Sequence, residues 1–154
     1  MLNSPQEWLA DATQKAYDEL VVAFLRLPED KRDWKPCDKA RSAIDQIAEC
    51  AIRNGYSAEL IQARQWPNVT SDDYSKQKAE ALAGEWESLN ALFQENTHKA
   101  ISAIATVPAE ALLQEIELPW TTQALQEAMA FPYWNMTYHQ GQINYIASML
   151  GCLP

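Results

Sequence analysis

Only two histidines, His98 and His139, and three cysteines, Cys37, Cys50 and Cys152, occur among the 154 residues. An odd number of thiols at unrelated spacings argues against a disulfide framework, and no Cys-x-x-Cys pair of a zinc ribbon is present. Glycine is as scarce, with four residues, and none of them forms a phosphate-cradling loop; nor is there a His-Glu-x-x-His motif. Basic residues are few, 12 Lys and Arg against 21 Asp and Glu for a net charge of −9. Such a surface repels phosphate backbones and anionic lipids, so neither nucleic acid nor a membrane is an expected partner. No apolar run approaches the ~20 residues of a membrane helix. The stretch from Met1 to Ala10 contains Asn3, Pro5, Gln6 and Glu7 where a secretory signal would place a basic start and an apolar core. The expectation is a cytoplasmic protein with reduced thiols.

Hydrophobic residues make up 47% of the chain, enough for one domain over residues 1–154 and too little length for two. At this size folding buries roughly 68–70% of the chain's surface, so a metal is not needed merely for stability. Ser4-Pro5-Gln6-Glu7 has capping-box spacing with Pro at the first helical position, and predicts a helix start. Behind it Leu9, Thr13, Ala16, Leu20, Phe24 and Leu27 repeat at three and four residues up to Pro28. Pro28 to Asp38 reads as a loop anchored by Trp34. A second helix begins near Lys39 to Ser42, buries Ile44, Ile47, Ala48 and Ala51, meets a stop signal at Asn54-Gly55, and resumes over Ser57 to Gln65.

After Trp66-Pro67 and the polar run Asn68 to Asp73, one long helix is expected to carry Leu82, Trp86, Leu89, Phe93, Ala100 and Ile104 as a single stripe ending at Val107-Pro108. Ala109 to Trp120 has no helical period, and Glu115-Ile116-Glu117-Leu118 alternates like an extended segment. The last helix is expected from Thr121 or Thr122 to Leu150, kinked at Pro132 and capped by Gly151. Four amphipathic helices and long loops predict an all-α four-helix bundle with a crossover connection.

Polar residues intrude on the apolar stripes. His139 falls within the arc of Met136 and Ile143, with Asn135 one turn before it and Gln142 nearly one turn after. Asn96 interrupts the third stripe between Phe93 and Ala100 in the same way. Each such group costs about 1–3 kcal/mol if buried without a partner. The residues therefore either satisfy one another as a core network of His139, Asn135 and Asn96, or serve a ligand or metal. Glu49 and Cys50 on the second helix are the nearest further donors, although Glu49 points away from the Ile44, Ile47 and Ala51 face. His98, opposite the Leu82 to Phe93 stripe, reads as a surface residue, and Cys37 and Cys152 as incidental thiols.

His139-Gln140-Gly141-Gln142-Ile143 followed by Leu150-Gly151 resembles the end of the DinB-like superfamily, whose last helix carries His-x-x-x-His-x-Gly-Gln-Ile and ends in Leu-Gly. Trp34-Lys35-Pro36, Ser42 to Cys50 and Leu118-Pro119-Trp120 resemble the family's Trp-x-Pro loop, its second helix and the segment before its last helix. The resemblance implies a four-helix bundle with a crossover, a homodimer, and a three-histidine metal site used by thiol transferases and hydrolases. Carried over, the family's final histidine falls on His139 and the one before it on Asn135; the second-helix histidine falls on Glu49 or, in a shifted alignment, on Cys50. The implied metal set is Glu49, Asn135 and His139, with Cys50 as the alternative to Glu49. Its cofactor would be one divalent ion, Ni²⁺, Zn²⁺ or Mn²⁺, if any is kept. Trp34, Asn96, Trp120, Tyr138 and Gln142 would line the ligand pocket.

Two functions follow from this sequence. One is a bundle with a vestigial site that binds a small ligand or a partner. The other is a metal-dependent hydrolase or thiol transferase whose ion activates a water or a thiol. Homodimerisation is expected on a second ground, the outward position of Gly141 beside Trp134 and Tyr145, because an interior helix glycine costs ~1 kcal/mol without a packing reason.

Overall fold

The computed structural model describes residues 4–153. Ser4 caps α1 (Pro5–Leu25), its Oγ accepting from the Glu7 amide. Ser42 caps α2 (Ala43–Ala63), which runs unbroken through Asn54 and Gly55. The expected stop there is absent because Gly55 serves packing: a Cβ on it would stand 2.9 Å from Asn96 Nδ2, which donates to the Ala51 carbonyl. Thr70 and Asp73 form a reciprocal capping box at the start of α3 (Ser71–Ala83), and α4 spans Trp86–Ala105.

The single long third helix is thus two. Gly84 is extended at the break, where it lacks the helix propensity to bridge it. The last helix is also shorter than expected. Thr121–Ala124 is a strand, β2, paired antiparallel with β1 (Glu115–Leu118), and α5 covers Leu125–Met149. The β1 segment is extended, as its alternation predicts. α5 continues through Pro132 and ends at Gly151, whose φ of 68° is the left-handed turn that suits glycine.

Helices α1, α2, α4 and α5 make the four-helix bundle. α1 and α2, though consecutive, lie on opposite corners, each flanked by α4 and α5. Cross-links fix the directions: Gln6 to Val107 and Tyr17 to Asn90 make α1 antiparallel to α4, and Gln46 to His139 makes α2 antiparallel to α5. Asn96 to Ala51 places α4 parallel to α2. Parallel neighbours need a return path, and α3 supplies it, running back along α2 through Tyr56 to Gln77 and Asp45 to Lys78. That is the crossover.

The core has two parts. Leu20, Phe24, Ile47, Leu89, Phe93, Met136 and Ile143 fill one end. Ile61, Ile104, Leu125, Met129 and the strand residue Ile116 fill the other, under the hairpin. Between the helices Asn54 is fully buried, its Nδ2 reaching Thr97 Oγ1 at 2.9 Å and Met136 Sδ at 3.4 Å.

Candidate functional site

The polar line read from α5 becomes a network across the α2–α5 seam. His139 is 3% exposed. Its Nδ1 lies 3.0 Å from Gln46 Oε1 and 2.8 Å from Gln142 Oε1, and its Nε2 is 3.5 Å from Glu49 Oε1. Glu49 does point away from the Ile47 face, but α5 covers that side, so it meets His139 instead of solvent. Its other oxygen accepts from Arg41 Nη1. Arg41 also donates to Asp45, whose second oxygen holds Lys78 of α3 at 2.6 Å. One chain of charge, Lys78, Asp45, Arg41, Glu49, His139, ties the crossover helix to α5.

Burial works against the charge on Glu49. The hydrogen bond from His139 and the charge and hydrogen bond of Arg41 outweigh it and hold the carboxyl at about 2, against an ordinary 4.5. Asp45 is lowered as well, burial being overcome by Lys78 and Arg41. A carboxylate whose pKa is depressed on folding contributes stability that is complete above its unfolded value and is lost as pH falls through the folded one. Between pH 4.5 and about 2 the protein should therefore lose more stability than a Glu49→Gln variant, a difference that urea unfolding across that range measures.

The other expected residues divide. Asn135 lies one turn from His139 and turns its amide to Cys50, Nδ2 to Sγ 3.6 Å. Cys50 thus faces Asn135 and not His139, and burial, followed by the Glu49 charge, pushes its thiol far up, so it is held protonated. Asn96 bonds to the α2 backbone and not to His139 or Asn135; the expected three-residue network does not form. Trp34 packs against the first core cluster as a loop anchor. His98 is exposed on α4.

Tyr138 and Gln142 line an open cleft of about 670 Å³ with Arg41, Gln46, Lys39 and Tyr145, which places His139 beneath its floor. Trp120 is elsewhere, 63% exposed on the hairpin turn and edge-on to Trp66 at 4.8 Å. Sequence reasoning missed Arg41 and Gln46. The signal was present, since Arg41, Asp45 and Glu49 repeat every four residues, and Asp45 and Glu49 share one face of α2 below Arg41 just ahead of its cap.

Bundles with this arrangement are known. The structure of YfiT from Bacillus subtilis, described as a probable metal-dependent hydrolase with an unusual four-helix bundle topology, superposes with a TM-score of 0.79 at 15% identity, covering 97% of this chain and 90% of that one. The fold is DinB-like. A DinB-like protein of Bacillus subtilis, YjoA, gives 0.67 at 16% identity over 94% and 92% of the two chains. A mycothiol-dependent maleylpyruvate isomerase gives 0.70 at 12%, over 91% of this chain and 61% of that one. No family model and no curated protein matches the sequence.

The DinB-like fold raises the question of a metal, and the donors present do not fit one. Glu49 has one oxygen on Arg41 and the other on His139, and Asn135 presents an N–H to a protonated thiol. Among the described residues no three His, Cys, Asp or Glu side chains are grouped to share an ion. The guanidinium on the Glu49 carboxylate competes directly with a cation for it. No described helix is long and apolar enough to cross a membrane.

Proposed function

We propose that this chain is a non-catalytic ligand-binding bundle on the DinB-like fold, in which an ion pair occupies the position of a metal centre. The carrying observation is the engagement of every polar atom that chemistry would need. Arg41 holds the Glu49 carboxylate, and the two ring nitrogens of His139 are turned to Gln46, Gln142 and Glu49 rather than to the cleft. The cleft above would take a small polar or anionic molecule, because Lys39 supplies its wall with positive charge while Tyr138, Tyr145 and Met149 supply apolar surface.

The test is a titration of untagged protein with Zn²⁺, Ni²⁺ and Mn²⁺, beside a His139→Leu variant. No saturable stoichiometric binding is expected in either. The variant should fold but lose about 1–3 kcal/mol, because Gln46 then keeps a buried amide without its ring partner. Tight binding in the parent that is lost in His139→Leu would overturn the reading in favour of the alternative, the metal-dependent hydrolase or thiol transferase that YfiT's description suggests.

Homodimerisation is part of the same proposal. Trp134 and Tyr138 stack at 5.4 Å on the outer side of α5, Tyr145 is 69% exposed, and nothing within the chain comes within 4 Å of a Cβ placed on Gly141. A second copy against this face would bury the aromatics, give Gly141 a close neighbour and close the open side of the cleft, which Tyr138, Gly141 and Tyr145 also line. Sedimentation should give twice the 17.4 kDa chain mass, and Gly141→Glu should return it to one.

A further inference from the structure

A second pocket lies at the other end of the α2–α5 seam, under the hairpin, and shares no lining residue with the cleft above His139. Its volume is about 120 Å³. Trp66 and Trp120 stand edge to face on one side, and Phe131 of α5 and Leu60 of α2 line it as well. Such a space suits one six-membered ring, since a cavity of about 150 Å³ admits benzene. Among apolar walls, three polar side chains converge on it: Arg53, Ser57 and Gln123.

None of the three has a hydrogen-bond or ion-pair partner within the described residues, so each is open to a ligand. Ser57 is 4% exposed. The Arg53 guanidinium carbon stands 4.6 Å from the centre of the Tyr74 ring, a cation–π contact that uses none of its N–H donors in a hydrogen bond. A guanidinium with no ion-pair partner, one helical turn from a hydroxyl, is a receptor for a planar, bidentate anion. The aromatic walls ask for a flat apolar body attached to it. We propose that this pocket binds a small aromatic carboxylate, its ring among Trp66, Trp120 and Phe131 and its carboxylate on Arg53 and Ser57.

The long-range field of the protein, with net charge −9, does not decide the matter, because exposed charges are screened beyond about 8 Å at physiological salt. The neighbouring cationic edge does. Trp120, carried on the hairpin turn, forms the exposed rim through which the ligand enters.

The probe is benzoate, with benzyl alcohol as its uncharged counterpart, titrated at millimolar concentration while the indole N–H resonances of Trp66 and Trp120 are followed by NMR. Benzoate should shift both saturably and bind more tightly than benzyl alcohol. Arg53→Gln should weaken benzoate about tenfold or more, the value of one charge-assisted pair, and leave benzyl alcohol unchanged. Trp120→Ala, at an exposed position that does not support the core, should weaken both. Indoles that do not respond, or benzoate affinity that is the same in Arg53→Gln, would overturn the proposal. His139→Leu should leave benzoate binding intact, so failure here and failure of the cleft reading are separate results.

Discussion

Replacing Glu49 and Asn135 together by histidine should create a Zn²⁺ or Ni²⁺ site that the parent lacks, with an affinity gain of at least about a thousandfold, or roughly 4 kcal/mol. Three observations combine. The resemblance places the family's histidines on His139, on Asn135 and on either Glu49 or Cys50, and of the last two it is Glu49 that faces His139. The structure brings Glu49 to 3.5 Å from the His139 ring, and Asn135 sits one turn away on the same face of α5. The double substitution also releases Arg41 from Glu49 and leaves it on Asp45, so the cation no longer competes for the site. Calorimetry with Zn²⁺ on the parent, the double variant and the double variant carrying His139→Leu measures the effect. A folded double variant that binds no better than the parent would mean that the ligand positions have been misassigned.

Phe93→Ala should be the most destabilising single truncation, at about 3–5 kcal/mol. Phe93 is fully buried on α4 and meets the edge of Tyr17 from α1 at 4.7 Å, so its loss opens a cavity at a junction of helices that cannot close without moving a whole element. For a chain of this length the melting temperature should fall by about 10 °C. Leu113→Ala, at a side chain that is 74% exposed, should change stability by less than about 0.5 kcal/mol and serves as the comparison. Near-equal effects would contradict the core described here.

The bundle was legible because its stripes are long. Leu9 to Leu27 and Phe93 to Ile104 hold their period over several turns, and capping signals at Ser4 and Gly151 bound the first and last helices. The break between α3 and α4 was hidden for the same reason. Leu82, Trp86 and Leu89 keep helical spacing across Gly84, so the apolar period continues through a point where the backbone does not. At Asn54-Gly55 the error ran the other way: a local stop signal was overridden by the close approach of Asn96, which only tertiary structure reveals. Thr121–Ala124 is too short and too polar to announce a strand without its partner β1.

In the candidate site, spacing along α5 placed His139 inside, but the identity of its partners depended on α2, three helices earlier in the chain. Helical periodicity describes one helix at a time. It is silent on which face of a distant helix will arrive opposite, and so Arg41, Gln46 and the isolation of Asn96 could not be read from it.

The crossover has a consequence for the order in which the protein is made. Chains emerge from the ribosome N-terminus first and domains fold as units. α1 and α2 sit at opposite corners here, and each needs α4 and α5 as neighbours. A nascent chain that has not yet extended beyond residue 124 has α2, α3 and α4 available to pack, but the seam that α5 will close is still an open apolar trough. Both pockets take one wall from α2 and the other from α5, so neither exists until the last helix docks. A ligand in either pocket would therefore grip only the finished molecule, and its binding free energy would be added to the step that seats α5.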